Sequence, residues 1–122
     1  MTLRVYGIKN CNTMKRAFAW LEAKGVDYAF HDYKKAGIDA TTLARWCAQV
    51  GWQALVNTRG TTWRRLEPAH QAIAGEADAI RLMGEHPSLI RRPVVEAEDG
   101  TLIVGFEEDA LARQLAPNGE AA

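Results

Sequence analysis

Cys11 is the residue of this chain best placed to do chemistry. It lies in a mostly polar run, Tyr6-Gly7-Ile8-Lys9-Asn10-Cys11-Asn12-Thr13-Met14-Lys15. A cysteine acts as a nucleophile in its thiolate form, so its reactivity depends on what lowers the pKa of the thiol. A lone cysteine is often a small buried packing residue. The Lys, Asn and Thr side chains around Cys11 favour a reactive thiol instead.

The neighbouring elements place Cys11 at the start of a helix. The segment Leu3-Arg4-Val5-Tyr6 alternates as a short strand does, and Gly7 follows it as a turn residue. After the cysteine, four apolar residues recur at helical spacing before Gly25, namely Met14, Ala17, Phe18 and Leu21. Cys11 is therefore predicted to lie in a strand-to-helix loop.

A helix start favours a thiolate, because its first N–H groups are unpaired and its dipole is positive there. The effect on an exposed charge is about 0.3–1 kcal/mol, which lowers a pKa by less than about one unit. A thiol with an ordinary pKa near 8.5 then stays mostly protonated at neutral pH. A reactive Cys11 consequently requires cations from elsewhere in the chain, of which Lys9 is one.

Beyond the first helix, the chain reads as a second strand and then a long helical stretch. Residues 27–33 alternate as a strand, which predicts a parallel β-α-β unit, and residues 34–37 read as a loop. Residues 39–88 look helical, with Thr41 or Thr42 as a cap and Gly51 as a stop. Cys47 shares an apolar helical face with large neighbours, so it is predicted to be a packing residue.

The last third changes to a hairpin and a helix. Residues 93–97 and 101–104 read as two strands joined through Asp99-Gly100. Acidic residues then begin a final helix, namely Glu107, Glu108 and Asp109. The predicted order is β-α-β, a helical insertion, then β-β-α.

Composition excludes several classes of function. The 122 residues include 15 basic and 15 acidic side chains, so no overall field attracts nucleic acid or an anionic membrane. No apolar run approaches the roughly 18 residues of a membrane span. Two cysteines without a Cys/His cluster predict free thiols and no metal site. We expect a cytoplasmic protein without direct nucleic-acid or membrane contacts.

Four stretches resemble the arsenate reductase-like family of thioredoxin-fold proteins, which includes the Spx-type regulators and, closest to this chain, the bacterial YffB group. They are residues 6–15, Asn57-Thr58-Arg59-Gly60, Leu89-Ile90-Arg91-Arg92-Pro93-Val94 and Val104-Gly105-Phe106. The resemblance implies an α/β, thioredoxin-like mixed four-stranded sheet with a helical insertion between its halves. It implies a single domain over 1–117, with sheet parts at about 1–38 and 88–117, the insertion at about 39–87 and a polar tail at 118–122.

The same resemblance assigns roles to individual residues. Cys11 becomes the redox nucleophile, and Pro93 takes a cis peptide bond beside it. Arg92 and Arg59 supply cations, with Arg92 facing Cys11 and Arg91 pointing away if the strand alternates. The residues implied to bind glutathione or the substrate are Lys9, Asn10, Thr13, Arg59, Arg92 and Pro93.

Two departures from the family pattern shape the predicted function. Arsenate reductases of this type carry a third arginine after the hairpin, where this chain has Gly105-Phe106. A charge-assisted contact of that kind is worth about 1.5–3 kcal/mol, so its loss weakens arsenate binding. At the position of Met14, Spx-type regulators have a second cysteine. No Cys-x-x-Cys disulfide can therefore form.

The sequence thus predicts a monomeric thiol-disulfide reductase that uses one cysteine, with no bound cofactor and glutathione as co-substrate. A single reactive cysteine needs an external thiol to open the mixed disulfide that it forms. The partner substrate is then a small-molecule or protein disulfide. Two alternatives stay open: an arsenate reductase with glutathione as resolving thiol, and a non-enzymatic, Spx-like regulator that binds RNA polymerase.

Overall fold

The computed structural model describes residues 2–9 and 11–115, with the Leu115 side chain left out, and the chain divides into two compact units. The sheet unit comprises Met1–His31 and Arg92–Ala122, and the helical unit comprises Asp32–Arg91. The helical unit extends beyond the predicted insertion of residues 39–87 at both ends. The predicted tail of residues 118–122 lies outside the described residues.

The elements of the chain follow the predicted order. The strands are β1 (Thr2–Gly7), β2 (Asp27–Asp32), β3 (Val94–Glu96) and β4 (Leu102–Val104). The helices are α1 (Asn12–Ala23), α2 (Tyr33–Ala36), α3 (Ala40–Val50), α4 (Trp52–Leu55), α5 (Thr61–Arg65), α6 (Pro68–Gln71), α7 (Glu76–Glu85) and α8 (Glu108–Leu115), with a 3-10 turn at Pro87–Leu89.

The four strands form one mixed sheet in the order β2-β1-β3-β4. Strand β3 runs antiparallel to both β1 and β4, and Val5 lies opposite Val95 in the β1–β3 register. Helix α1 connects β1 to β2, as in a β-α-β unit, and the hairpin of β3 and β4 leads into α8. The predicted thioredoxin-like arrangement of the sheet is therefore confirmed.

The core of the sheet unit lies between one face of the sheet and the helices α1 and α8. Leu3 and Val5 alternate along β1, so both side chains fall on this face. They join a cluster completed by Met14, Leu21, Val95, Ala97, Ile103 and Leu111. Each large apolar side chain buried in this way contributes about 1.5–3 kcal/mol to folding. Cys11 packs against this cluster, which holds the start of α1 against the sheet.

Gly7 allows α1 to approach β1 closely. A Cβ atom at this position would lie 2.5 Å from Sδ of Met14, which is fully buried. We expect Gly7→Ala to lower the free energy of unfolding by about 1 kcal/mol, the lower end for overpacking because methionine adapts its shape. Urea denaturation measures this change.

The matched control for Gly7→Ala is Gly84→Ala in α7. A Cβ at Gly84 meets no atom within 4 Å. Alanine is the better helix former, so this variant should gain about 0.5–1 kcal/mol. A Gly7→Ala variant as stable as Gly84→Ala would contradict the close packing of α1 on β1.

In the helical unit, α3 buries the predicted apolar face, but its cap differs from the prediction. Cys47 is only 5% exposed, together with buried Leu43 and Trp46. The Asp39 side chain caps the helix, accepting a hydrogen bond from the Thr42 N–H at 2.7 Å. The prediction of Thr41 or Thr42 as the cap was wrong, because the carboxylate of Asp39 reaches the first-turn N–H groups.

The junction after β2 also differs from the prediction. Strand β2 ends at Asp32, and Tyr33 begins the short helix α2 instead of ending the strand. The Asp32 carboxylate accepts a hydrogen bond from the Lys34 N–H at 2.9 Å and so turns the chain into this helix. The predicted loop of residues 34–37 is helical up to Ala36.

No helix of the described residues is long and apolar enough to cross a membrane.

Candidate active site

Cys11 immediately precedes α1 and acts as its N-cap residue. Its backbone is extended, with φ −142° and ψ 133°, and its carbonyl accepts a hydrogen bond from the Lys15 N–H at 2.9 Å. Cys11 is half-buried, and its thiol makes no capping hydrogen bond of regular geometry. The sulfur therefore lies at the positive end of a twelve-residue helix while part of the residue stays open to solvent.

The surroundings of Cys11 lower the pKa of its thiol. Burial alone raises this pKa, but several groups together outweigh burial. The Met14 N–H, a hydrogen bond from the Arg92 side chain, the Thr13 N–H and the Arg92 charge all lower it. The two N–H groups thus act on the sulfur although neither forms a regular cap. The site combines the helix start with a cation, the combination that a reactive cysteine requires.

Arg92 reaches the sulfur from the segment that leads into β3. The peptide bond between Arg92 and Pro93 is cis, as the resemblance predicts. Pro93 is buried, and its carbonyl accepts a hydrogen bond from the Gly105 N–H at 2.8 Å, which ties this segment to the end of β4. Arg92 is half-buried and hydrogen-bonded to Cys11, whereas the adjacent Arg91 is exposed.

The remaining predicted site residues are Thr13, Lys9, Asn10 and Arg59. Thr13 acts on the sulfur through its backbone N–H. Lys9 is exposed in the loop before Cys11, and Asn10 lies outside the described residues. Arg59 belongs to the helical unit and is exposed, with its backbone N–H bonded to Asn57 Oδ1 at 3.0 Å. Substrate-binding roles for these residues stay predictions.

One cation of the sheet unit was missed by sequence reasoning. The Arg16 guanidinium lies over the Phe106 ring, 5.8 Å from its centroid. Gly105 and Phe106 occupy the position after the hairpin where the resemblance places an arginine. The signal in the sequence is the pair Lys15-Arg16, which follows Cys11 within two helical turns. Its contact with Phe106 joins residues 90 positions apart.

The His31 ring packs on the Tyr6 ring, with 5.0 Å between the centroids. Among the described residues, no group of three or more His, Cys, Asp or Glu side chains could hold a metal ion.

The chain combines a thioredoxin-like sheet, a half-buried cysteine at the start of its first helix, and a cis Arg92-Pro93 bond before β3. These features define a protein of the thioredoxin fold. The sequence matches the ArsC family over residues 6–113. The chain belongs to the ArsC family.

Three relatives illustrate this membership. The structure of a YffB protein is 52% identical, covers 93% of this chain and 99% of its own, and superimposes with a TM-score of 0.89. An arsenate reductase (ArsC) related protein from Brucella melitensis is 48% identical, with coverage of 88% and 89% and a TM-score of 0.72. The global transcriptional regulator Spx of Bacillus subtilis is 26% identical, over 91% of this chain and 85% of that protein.

Proposed function

We propose that this protein is a glutathione-dependent thiol-disulfide reductase with Cys11 as its nucleophile. The observation that carries the proposal is a half-exposed thiol whose pKa is lowered by the Arg92 side chain and the N–H groups of Met14 and Thr13, in spite of burial. A stabilised thiolate that substrate can reach is the requirement for attack on a disulfide.

The reaction has three exchange steps. The Cys11 thiolate attacks one sulfur of the substrate disulfide, the substrate S–S bond breaks, and the other half leaves as a thiolate that takes up a proton. A glutathione thiolate then attacks the mixed disulfide at the substrate sulfur or at Cys11, and a second glutathione opens the mixed disulfide that remains. Two glutathione molecules are oxidised to one glutathione disulfide, and the substrate disulfide is reduced to two thiols.

An external thiol is needed because neither the residues that follow Cys11 nor Cys47 supply a resolving thiol. The residue one helical turn after Cys11 is Met14, which is fully buried in the core of the sheet unit. Cys47 is 5% exposed, and burial, together with the negative charge of Glu76, raises the pKa of its thiol. A buried thiol that stays protonated is a poor attacking group.

Glutathione suits the cations of this chain. It carries two carboxylates, for which we propose Lys9, Arg59 and Arg92 as partners. We propose that the peptide backbone of glutathione pairs with the exposed strand edge next to Pro93. Asn10 and Thr13 would shape the pocket around the sulfur. We propose that the protein acts as a monomer in the reducing cytoplasm, where glutathione is abundant and no tightly bound cofactor is needed.

A glutathione-coupled assay tests this function. Purified protein is mixed with glutathione, glutathione reductase and NADPH, and either a low-molecular-weight disulfide or arsenate is added. We expect NADPH oxidation above background with the disulfide and much less with arsenate, because a lost guanidinium contact of about 1.5–3 kcal/mol weakens oxyanion binding.

The same assay gives the results that would overturn the proposal. Turnover with arsenate in excess of turnover with the disulfide would make the protein an arsenate reductase. The absence of turnover with either substrate would reject glutathione-dependent chemistry altogether.

The similarity to Spx supports a second candidate, a non-enzymatic regulator that binds RNA polymerase. Because Met14 occupies the position of the second cysteine, such a regulator would lack a Cys-x-x-Cys redox switch. Immobilised protein that retained polymerase subunits from a lysate, equally well with Cys11→Ser, would favour this candidate over the reductase.

A further inference from the structure

We infer that the sheet unit selects disulfides flanked by carboxylates, with Arg16 as the residue that determines this preference; the inference rests on the proposed function. Arg16 lies on α1, just beyond the turn that follows Cys11. The substrate class is therefore an acidic disulfide, in which negative groups adjoin the sulfur that Cys11 attacks.

The first observation is a chain of contacts that links Arg16 to the segment beside Cys11. Its guanidinium is held over the Phe106 ring at 5.8 Å. The residue before Phe106, Gly105, donates its N–H to the carbonyl of Pro93, and Pro93 follows Arg92, which contacts Cys11. Cys11 and Phe106 also pack against the same core cluster. These contacts hold Arg16 and Arg92 in one part of the sheet unit.

The second observation is the charge of the segment around the sulfur. Between Ile8 and Leu21 the sequence has no Asp or Glu, whereas Lys9, Lys15 and Arg16 are all exposed. Side chains of a helix lean toward its N-terminus, so the Lys15 side chain extends back toward the turn that Cys11 begins. The segment that holds the nucleophile is thus positively charged, although the whole chain has no net charge.

Arg16 is also available to a ligand. A cation over an aromatic ring is oriented by the ring without losing its charge. An acidic run, Glu107-Glu108-Asp109, follows Phe106 in the sequence, and the positive start of α8 favours Glu108 and Asp109. Among the residues that the structure describes, Arg16 forms no ion pair with these carboxylates. Its guanidinium can therefore attract a carboxylate of the substrate.

The chemical step is unchanged by this preference. The Cys11 thiolate attacks the disulfide, one S–S bond forms as another breaks, and one peptide leaves as a thiolate. Attraction between the exposed cations and an acidic substrate raises the rate of encounter, and fields of this kind change association rates by about 10- to 1000-fold. Dissolved salt shortens the range of this attraction, because the Debye length falls from about 10 Å at 0.1 M salt to about 3 Å at 1 M.

The test measures the first exchange step alone, without glutathione. Three peptide disulfides are compared, with the cysteine flanked by two glutamates, two glutamines or two lysines, and rapid acid quenching followed by mass spectrometry gives the rate of mixed-disulfide formation on Cys11. At low salt we expect the acidic peptide to react about tenfold faster than the glutamine peptide, and the lysine peptide to react more slowly. At 1 M salt the ratios should approach one.

Variants identify the residue that is responsible for the preference for acidic disulfides. Arg16→Gln should lower the ratio of acidic to neutral rates about threefold, since one of several cations is lost, and Arg16→Lys should restore most of it. Phe106→Leu keeps the charge but removes the ring that positions it, so an intermediate ratio is expected. The matched control is Lys24→Gln, because Lys24 also lies over a ring, that of Trp20 at 5.7 Å, at the other end of α1.

The possible outcomes separate the inference from the proposed function. If wild-type Cys11 reacts with all three peptides at equal rates, or if Lys24→Gln changes the ratio as much as Arg16→Gln, the inference is wrong while the reductase function stands. If Cys11 reacts with none of the peptides, the proposed function itself fails. The pH profile of Cys11 alkylation should stay the same in Arg16→Gln, which separates selection of substrate from activation of the thiol.

Discussion

The Cys11→Ser variant is expected to lose all disulfide reduction above the uncatalysed background in the glutathione-coupled assay. A serine hydroxyl is close to the thiol in size, but it stays protonated at neutral pH and cannot form a mixed disulfide. The half-exposed position of Cys11 means that the substitution creates no cavity in the core. The loss should therefore come from chemistry alone, and equal urea midpoints for the variant and the wild type would show this.

Cys47→Ala is the matched control, because Cys11 and Cys47 are the two cysteines of the chain. Cys47 is 5% exposed and packs with Leu43 and Trp46 on α3. Removing its sulfur leaves a small cavity and lowers stability by about 1 kcal/mol, but turnover should persist. If Cys47→Ala abolished turnover in a folded protein, Cys47 would be a resolving cysteine and the dependence on an external thiol would be wrong.

The fold around Cys11 could be predicted because its determinants are local. The alternation of β1 and the helical spacing of Met14, Ala17 and Leu21 depend only on neighbours in the sequence. The structure buries all three of these α1 residues. The Asp99-Gly100 turn between β3 and β4 was predictable for the same reason, since Gly100 adopts φ 90°.

The errors fell where two local solutions compete. Asp39, Thr41 and Thr42 are all acceptable caps, and only the geometry shows that the Asp39 carboxylate reaches the Thr42 N–H. Tyr33 has a high strand propensity, but Asp32 accepts the Lys34 N–H and starts a helix one residue earlier than the alternation suggests. Propensity alone does not separate such alternatives.

The site itself required contacts between distant residues. Periodicity placed Cys11 at a helix start, but only a resemblance suggested that Arg92, 81 positions later, faces the sulfur. The contact of Arg16 with Phe106 escaped both kinds of reasoning, because no pattern in the sequence pairs α1 with the residue after β4. Long-range pairing of side chains depends on the register of the sheet, which a single sequence does not specify.

Arg92→Gln is expected to raise the pKa of Cys11 toward its ordinary value. In the native protein, burial raises this pKa, and the Arg92 side chain is one of the groups that lower it, through both a hydrogen bond and its charge. Glutamine can still donate a hydrogen bond but carries no charge. The rate of iodoacetamide labelling follows the thiolate fraction, so its rise with pH should occur at higher pH in Arg92→Gln than in the wild type.

Arg91→Gln is the matched control, since Arg91 is the adjacent residue, carries the same charge and is exposed. Its side chain is not among the groups that lower the pKa of Cys11. The labelling profile of Arg91→Gln should therefore coincide with that of the wild type. Arg92→Lys provides a second comparison, because it keeps the charge without the planar guanidinium and should give an intermediate profile.

At saturating glutathione, the effect of Arg92→Gln on turnover should be smaller than its effect on the thiolate fraction. For each pH unit by which a thiol's pKa exceeds the pH of the assay, the thiolate fraction falls tenfold. The remaining thiolate is a stronger nucleophile, with a Brønsted coefficient of about 0.4–0.5, so the exchange rate falls only about threefold. A further loss of turnover at limiting glutathione, measured well above the shifted pKa where the thiolate is fully formed, would report the proposed contact of Arg92 with a glutathione carboxylate. An unchanged labelling profile in Arg92→Gln would instead show that the activation of Cys11 does not depend on Arg92.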